Sequence, residues 1–156
     1  MPKTFASIML ATILAAGSAF GQSTDDEKAV LSTFGEIVND VNSGNPDDFL
    51  ARVTDDVMFL EMIPTEPPAV GKEAVGKMAR TIMAAYDFTW NGIETDTVIV
   101  VDDLAFHHYT GVFFATPKEG GETSRSERRY LDIFRRQSDG DWKLSQHTIV
   151  YLSNGD

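Results

Sequence analysis

The second half of the chain does most to limit what it can become. From Phe88 onward, apolar residues recur at alternate positions through four successive segments, TWNGIETDTVIVV, LAFHHYTGVFFAT, SERRYLDIFRRQ and WKLSQHTIVYL. A period of two matches side chains that point in turn to the two faces of a pleated strand, and the β-branched and aromatic content fits. Asp102-Asp103, Pro117 to Ser124 with Gly120-Gly121, and Ser138 to Asp141 separate the segments. Connections this short leave no room for crossovers, so the four strands form an antiparallel meander.

The first half reads differently. Thr24 and Glu27 make a capping-box signature, and Val30, Phe34, Ile37 and Val41 follow at helical spacing until Ser43-Gly44. Asn45-Pro46-Asp47-Asp48 starts a second, short helix with proline in its first turn. VMFLEMI, from Val57 to Ile63, reads as a strand, and the proline-rich IPTEPPAVG as the loop that ends it. Lys72 to Tyr86 gives a third helix burying Val75, Ala79, Ile82 and Tyr86. Helices first and strands second is the α+β pattern, with three N-terminal helices laid across one face of a curved antiparallel sheet.

Residues 1–21 are expected to lie outside this fold. Lys3, the apolar stretch from Phe5 to Ala16 and the small residues up to Gly21 have the layout of a secretory signal peptide, too short for a membrane span. The expectation is a secreted or periplasmic protein whose single domain is residues 22–156, with no membrane association after cleavage. A net charge of −11 repels phosphate backbones, so nucleic acid is not an expected partner. With no cysteine, thiol catalysis and thiolate metal sites are excluded, and stability rests on packing.

Glu61 is the one charged residue within VMFLEMI. A carboxylate among apolar neighbours is either a solvated strand end or a buried group whose proton affinity is raised for chemistry. On the third meander strand, alternation puts Phe106, His108, Thr110, Val112 and Phe114 on one face. Closing the following hairpin symmetrically about Gly120 sets His108 opposite Asp132, on the face shared by Tyr130 and Phe134; a slip of one residue would replace His108 by His107. On the last strand, Leu144, Gln146, Thr148 and Val150 are expected to face inward, and Lys143, Ser145, His147 and Ile149 outward. That alternation leaves no three-ligand cluster, so no metal is expected. Gly120-Gly121 lies in a hairpin rather than between strand and helix, so no phosphate or dinucleotide site is expected, and no cofactor.

VNSGNPDDFLARVTDDVMFLE, AVGKEAVGKM, DDLAFHHYTGVFF and RRYLDIFRRQSDGDWKL together resemble the nuclear transport factor 2-like superfamily, in its SnoaL-like polyketide cyclase and ketosteroid isomerase-like branch. The resemblance covers nearly all of residues 22–156 and implies a cone-shaped fold whose helices and concave sheet enclose a hydrophobic pocket. It places Glu61, five residues after Asp56, at the position of the isomerases' catalytic base. Asp132, ahead of Ile133-Phe134-Arg135, falls at the position of their second pocket acid. Ile37 stands where those enzymes carry a tyrosine, which argues against a plain steroid isomerase. His108 with Asp132 is similar to the polar pair of the cyclases.

Two functions stay open on this reading. One is a cofactor-independent acid–base isomerase, cyclase or hydratase for a small hydrophobic molecule, with Glu61, Asp132 and His108 catalytic and Phe106, Thr110, Tyr130, Phe134 and Gln146 around the ligand. Asp132 could act protonated, act as a carboxylate, or be held by Arg128 in a structural ion pair. The other is a non-catalytic binding or scaffold domain. In either case apolar residues expected on the outer sheet face, Leu131, Ile133, Phe113 and Ile149, favour a homodimer.

Overall fold

The computed structural model describes residues 17–60 and 67–151. Glu61 and residues 1–16 of the expected leader lie outside the described residues. Three helices, α1 (Gly17–Asn42), α2 (Pro46–Ala51) and α3 (Lys72–Ala85), are joined to six strands. These are β1 (Val53–Leu60), β2 (Ala69–Val70), β3 (Tyr86–Val101), β4 (Leu104–Pro117), β5 (Ser124–Arg136) and β6 (Trp142–Tyr151). They form one sheet in the order β2-β1-β6-β5-β4-β3. The four-strand meander is as expected, with an antiparallel register from β3 to β6. Strand β1 adds to β6 in parallel, and Ala69-Val70, within the expected loop, pairs antiparallel with Met58-Phe59.

The helices begin and end where their chemistry directs. Gly44 at φ +66° turns the chain out of α1. The Asn45 side chain accepts the Asp48 amide at 3.2 Å and caps α2, with Pro46 in the first turn. At the other end α1 departs from expectation, because it starts at Gly17 and Thr24 lies within the helix rather than capping it.

The helices cover the concave face of a cone-shaped sheet. Val30, Phe34 and Ile37 of α1 are buried, and the Phe34 ring packs 4.7 Å from Tyr109 and 5.9 Å from Trp90. Asn42 fastens the end of α1 to the sheet: its Oδ1 accepts the Trp90 amide at 2.6 Å and its Nδ2 donates to the Trp90 carbonyl at 3.1 Å. Towards the other end of α1, Arg136 donates to both Asp26 carboxylate oxygens at 2.7 and 2.5 Å while its guanidinium lies 4.5 Å over the Trp142 ring. Such a bidentate pair holds geometry as well as charge.

Curvature comes from interruptions of the ladder. The β3–β4 register shifts between Asn91 and Glu94, where Gly92 adopts φ +57°, and again between Thr95 and Thr97. Extra residues of this kind bend a strand and increase its twist. Gly111 on β4 allows the bent β3 to close down, since a Cβ there would lie 2.9 Å from Trp90 Nε1 and 3.4 Å from Ile93.

Two registers differ from the sequence reading. Hairpin β4–β5 centres between Glu119 and Gly120 rather than on Gly120, so Asp132 pairs with His107 and Ala115 with Ser124. That half-residue offset shifts the partner by one. His107 is fully buried on the concave face, while His108 lies on the convex face with Nδ1 3.2 Å from Asp96. Phe106 and Thr110, of the same parity as His108, are half-buried on the convex face too. In β6, Ile133 pairs with Gln146 but Phe134 with Leu144, leaving Ser145 as a one-residue bulge. Beyond it the alternation inverts. His147 and Ile149 are buried inward, and Gln146 turns outward to donate to Thr148 Oγ1 at 3.1 Å.

His107 sits between the Phe34 and Tyr109 rings at 4.6 and 4.5 Å, with Nε2 3.1 Å from the Thr95 hydroxyl and Nδ1 without a hydrogen-bond partner among the described residues. Burial pushes its pKa below the ordinary value, so the fold holds it neutral. The unfolded chain therefore binds its proton more readily, and stability due to His107 is complete above about pH 6.5 and declines as pH falls below it. Denaturation midpoints measured between pH 7 and 5 should fall for the parent protein and fall less steeply for His107→Leu. Gly111→Ala should cost about 1–3 kcal/mol of unfolding free energy by overpacking Trp90, measurable by urea titration at neutral pH.

Candidate functional site

A cavity of about 70 Å³ lies between the concave sheet face and the three helices. Its walls are Ile37 and Val41 of α1, Phe49 of α2, Met78, Ala79, Ile82 and Met83 of α3, and Phe59, Phe88, Trp90, Phe113, Leu144 and Ile149 of the strands. Each strand residue is there by parity: the inward-facing set of each strand supplies one wall. Among the described residues, the charged, hydroxyl and imidazole groups of the lining, on Arg128, Tyr130, Asp132 and His147, stand on β5 and β6. A mostly apolar enclosure with a few convergent polar groups is the usual form of a small-molecule site.

The polar contacts of the cavity converge on Asp132, which is 2% exposed. Its Oδ1 lies 2.6 Å from His147 Nδ1, and its Oδ2 accepts the Tyr109 hydroxyl at 2.9 Å. The three residues come from adjacent strands, β4, β5 and β6. An ionised Asp132 can only accept; His147 Nδ1 then carries the proton, and Nε2 is the second nitrogen of a ring that lines the cavity. Among the described residues Nε2 has no hydrogen-bond partner. Burial and the adjacent Asp132 charge raise the Tyr109 pKa well above its ordinary value, so the phenol remains a donor. Aromatic rings hold both partners in place. Tyr109 stacks on Tyr130 at 4.8 Å and 13°, and His147 lies 4.9 Å from Phe59.

Asp132 and Tyr130 therefore stand at the cavity as the sequence suggested, but the company of Asp132 is different. Its hydrogen bonds come from Tyr109 and His147, not from His108 or Arg128. Phe106, His108, Thr110 and Gln146 are on the opposite face, and Phe134 is fully buried in the core rather than in the cavity wall. Arg128 lies in the wall with its guanidinium 5.4 Å from the Phe113 ring centre. Sequence reasoning missed His147 and Tyr109. His147 was hidden by the Ser145 bulge, which no turn residue announces. Tyr109 follows from the same hairpin offset that moved His108. Among the described residues no group of three potential ligands could hold a metal ion.

Residues 35–145 match the SnoaL-like domain family. No curated protein matches the sequence. Solved structures share the fold. A ketosteroid isomerase-like protein from Erwinia carotovora atroseptica SCRI1043 superposes with a TM-score of 0.73 at 19% identity, over 83% of this chain and 98% of that one. A candidate scytalone dehydratase from Novosphingobium aromaticivorans DSM 12444 gives 0.71 at 14% identity, over 83% and 85%. A nuclear transport factor 2-like protein from Salmonella enterica serovar Typhimurium gives 0.70 at 11% identity, over 85% and 95%. At such identities the likeness is one of fold. With the family match covering most of its length, the chain belongs to the SnoaL-like domain family, within the nuclear transport factor 2-like fold.

Proposed function

We propose that this protein is a cofactor-independent acid–base enzyme acting on a small hydrophobic molecule, with His147 as the proton-transferring group. The observation carrying this reading is the buried Asp132–His147 pair, 2.6 Å apart, in the wall of a mostly apolar cavity. Asp132 fixes the tautomer and stabilises the imidazolium that forms when Nε2 takes a proton. The apolar walls exclude water and strengthen that interaction. Isomerisation, dehydration and cyclisation all need a proton removed and returned at such a site, and the isomerase- and dehydratase-like structural neighbours agree with that class. The layout of residues 1–21 supports export to the periplasm or beyond, with the chemistry done there. Glu61 retains its place in the proposal as a second acid–base group on the strength of the family resemblance alone.

A chemical probe tests this without knowledge of the substrate. 5-Nitrobenzisoxazole is a flat aromatic that opens to a coloured phenolate when a base removes its ring C–H proton. The protein should accelerate the opening, and His147→Asn should lose about 10²-fold or more of that rate while still binding the probe. Binding without any acceleration would instead favour the non-catalytic ligand carrier.

We also propose a homodimer through the convex sheet face. Ile99, Phe106 and Ile133 lie in one row across β3, β4 and β5, beside Leu104 and Leu131; Ile99 is 53% exposed and Leu104 40%. Phe113 and Ile149, expected on this face, instead line the cavity. Sedimentation should give twice the chain mass, and Leu131→Arg should yield a folded monomer by placing a charge in the patch.

A further inference from the structure

Tyr109 takes no part in the cavity wall, yet it is fully buried and its hydroxyl meets the same carboxylate that orients His147. We propose that Tyr109 is a positioning residue that sets the strength of His147 as a base through the carboxylate they share. The inference rests on the acid–base reading of this site and extends it to a residue that never touches substrate.

The physical argument begins with the division of one negative charge. Asp132 gives one oxygen to each donor: Oδ2 to the Tyr109 hydroxyl at 2.9 Å and Oδ1 to His147 at 2.6 Å. Each donor withdraws charge from the carboxylate, so the phenol weakens the hold of Asp132 on an imidazolium. A weaker hold makes the imidazolium a better acid and the imidazole a weaker base. The phenol is well placed for this because it cannot turn away. Its ring is clamped between Tyr130 at 4.8 Å and His107 at 4.5 Å, with Phe34 at 4.7 Å. With its own proton firmly held, it stays a donor through the working pH range.

Among the described residues the other groups around His147 are few. Phe59 of β1 and Trp90 of β3 present rings at 4.9 and 6.1 Å, and α1 and α3 bring only apolar side chains to the cavity. Tyr130 lies 5.5 Å from the imidazole, Arg128 stands further along the same wall, and His107 is behind Tyr109. Replacing Tyr109 by Phe leaves all of these in place and removes one donor.

The test is an NMR titration of the three imidazoles in the full chain, labelled with ¹⁵N and assigned by single His variants. In Tyr109→Phe, the His147 titration midpoint should rise by about half a unit or more, while the His108 midpoint stays put. Site-specific 3-fluorotyrosine at position 109, a near-isosteric and stronger donor, should lower it. An unchanged His147 midpoint in a folded Tyr109→Phe protein overturns the proposal. Should that variant fail to fold, fluorotyrosine decides alone, and a midpoint that rises or stays fixed is equally fatal. The benzisoxazole assay separates this inference from the reading beneath it. A shifted midpoint without turnover would sink the proposed chemistry and leave the coupling standing, and turnover with an unshifted midpoint would do the reverse.

Discussion

A carboxylate with 2% exposure sits at the centre of the sheet, and the arrangement of three strands answers to it. An ionised group removed from water is tolerable only when strong donors replace its hydration. Asp132 has two, and they arrive from opposite sides, Tyr109 on β4 and His147 on β6. A slip of one residue in either neighbouring register would send the donor to the convex face and leave the charge uncompensated. The hairpin offset between Glu119 and Gly120 and the bulge at Ser145 are the two local features that bring both donors to it. Pairing of the strands and satisfaction of the charge are thus one condition rather than two.

The rest of the domain supplies the dry surroundings in which that pair matters. Helices α1 and α3 contribute only apolar side chains to the cavity, while the polar groups stand on the two central strands opposite. The division follows from connectivity. Helix α1 lies over the concave face and is fastened to the sheet near its two ends, by Asn42 to the Trp90 backbone and by Asp26 to Arg136. Between these anchors the contact is packing of rings and aliphatic groups. The wall formed by Met78 and Met83 is the unbranched, adaptable part of the enclosure. The sheet side, with its stacked tyrosines, is the fixed part.

Much of this architecture is legible in the sequence. The change from helical to alternating period marks the start of the meander, and Asn45-Pro46 and Gly44 mark helix boundaries because their backbone preferences act locally. The shared inward face of Asp132, Tyr130 and Phe134 follows from the regular alternation of β5, which is unbroken there, although Phe134, expected around the ligand, lies in the core instead. The errors lie where alternation was carried across an irregularity. His108, Phe106 and Thr110 changed faces together because one hairpin centre moved by half a residue. Gln146 and His147 exchanged faces because Ser145 is an extra residue whose identity gives no sign of it. Parity is a long-range inference in a strand, so a single inserted residue misplaces every side chain beyond it, whereas a cap misread at Thr24 shifts only a helix end.

The interruptions in β3 have a further consequence. Among the described residues this strand, sixteen residues long, forms one edge of the sheet, with Ile99 and Val101 each more than half exposed. A straight apolar edge of that length would be a template on which another chain could add strands and begin to aggregate. The kinks at Gly92 and between Thr95 and Thr97 break the run of outward amides and carbonyls into short, mutually twisted pieces. No long segment of the edge then offers the even spacing that strand addition requires. The same bends that give the sheet its cone therefore guard the solubility of a protein with no disulfide to keep its strands from parting.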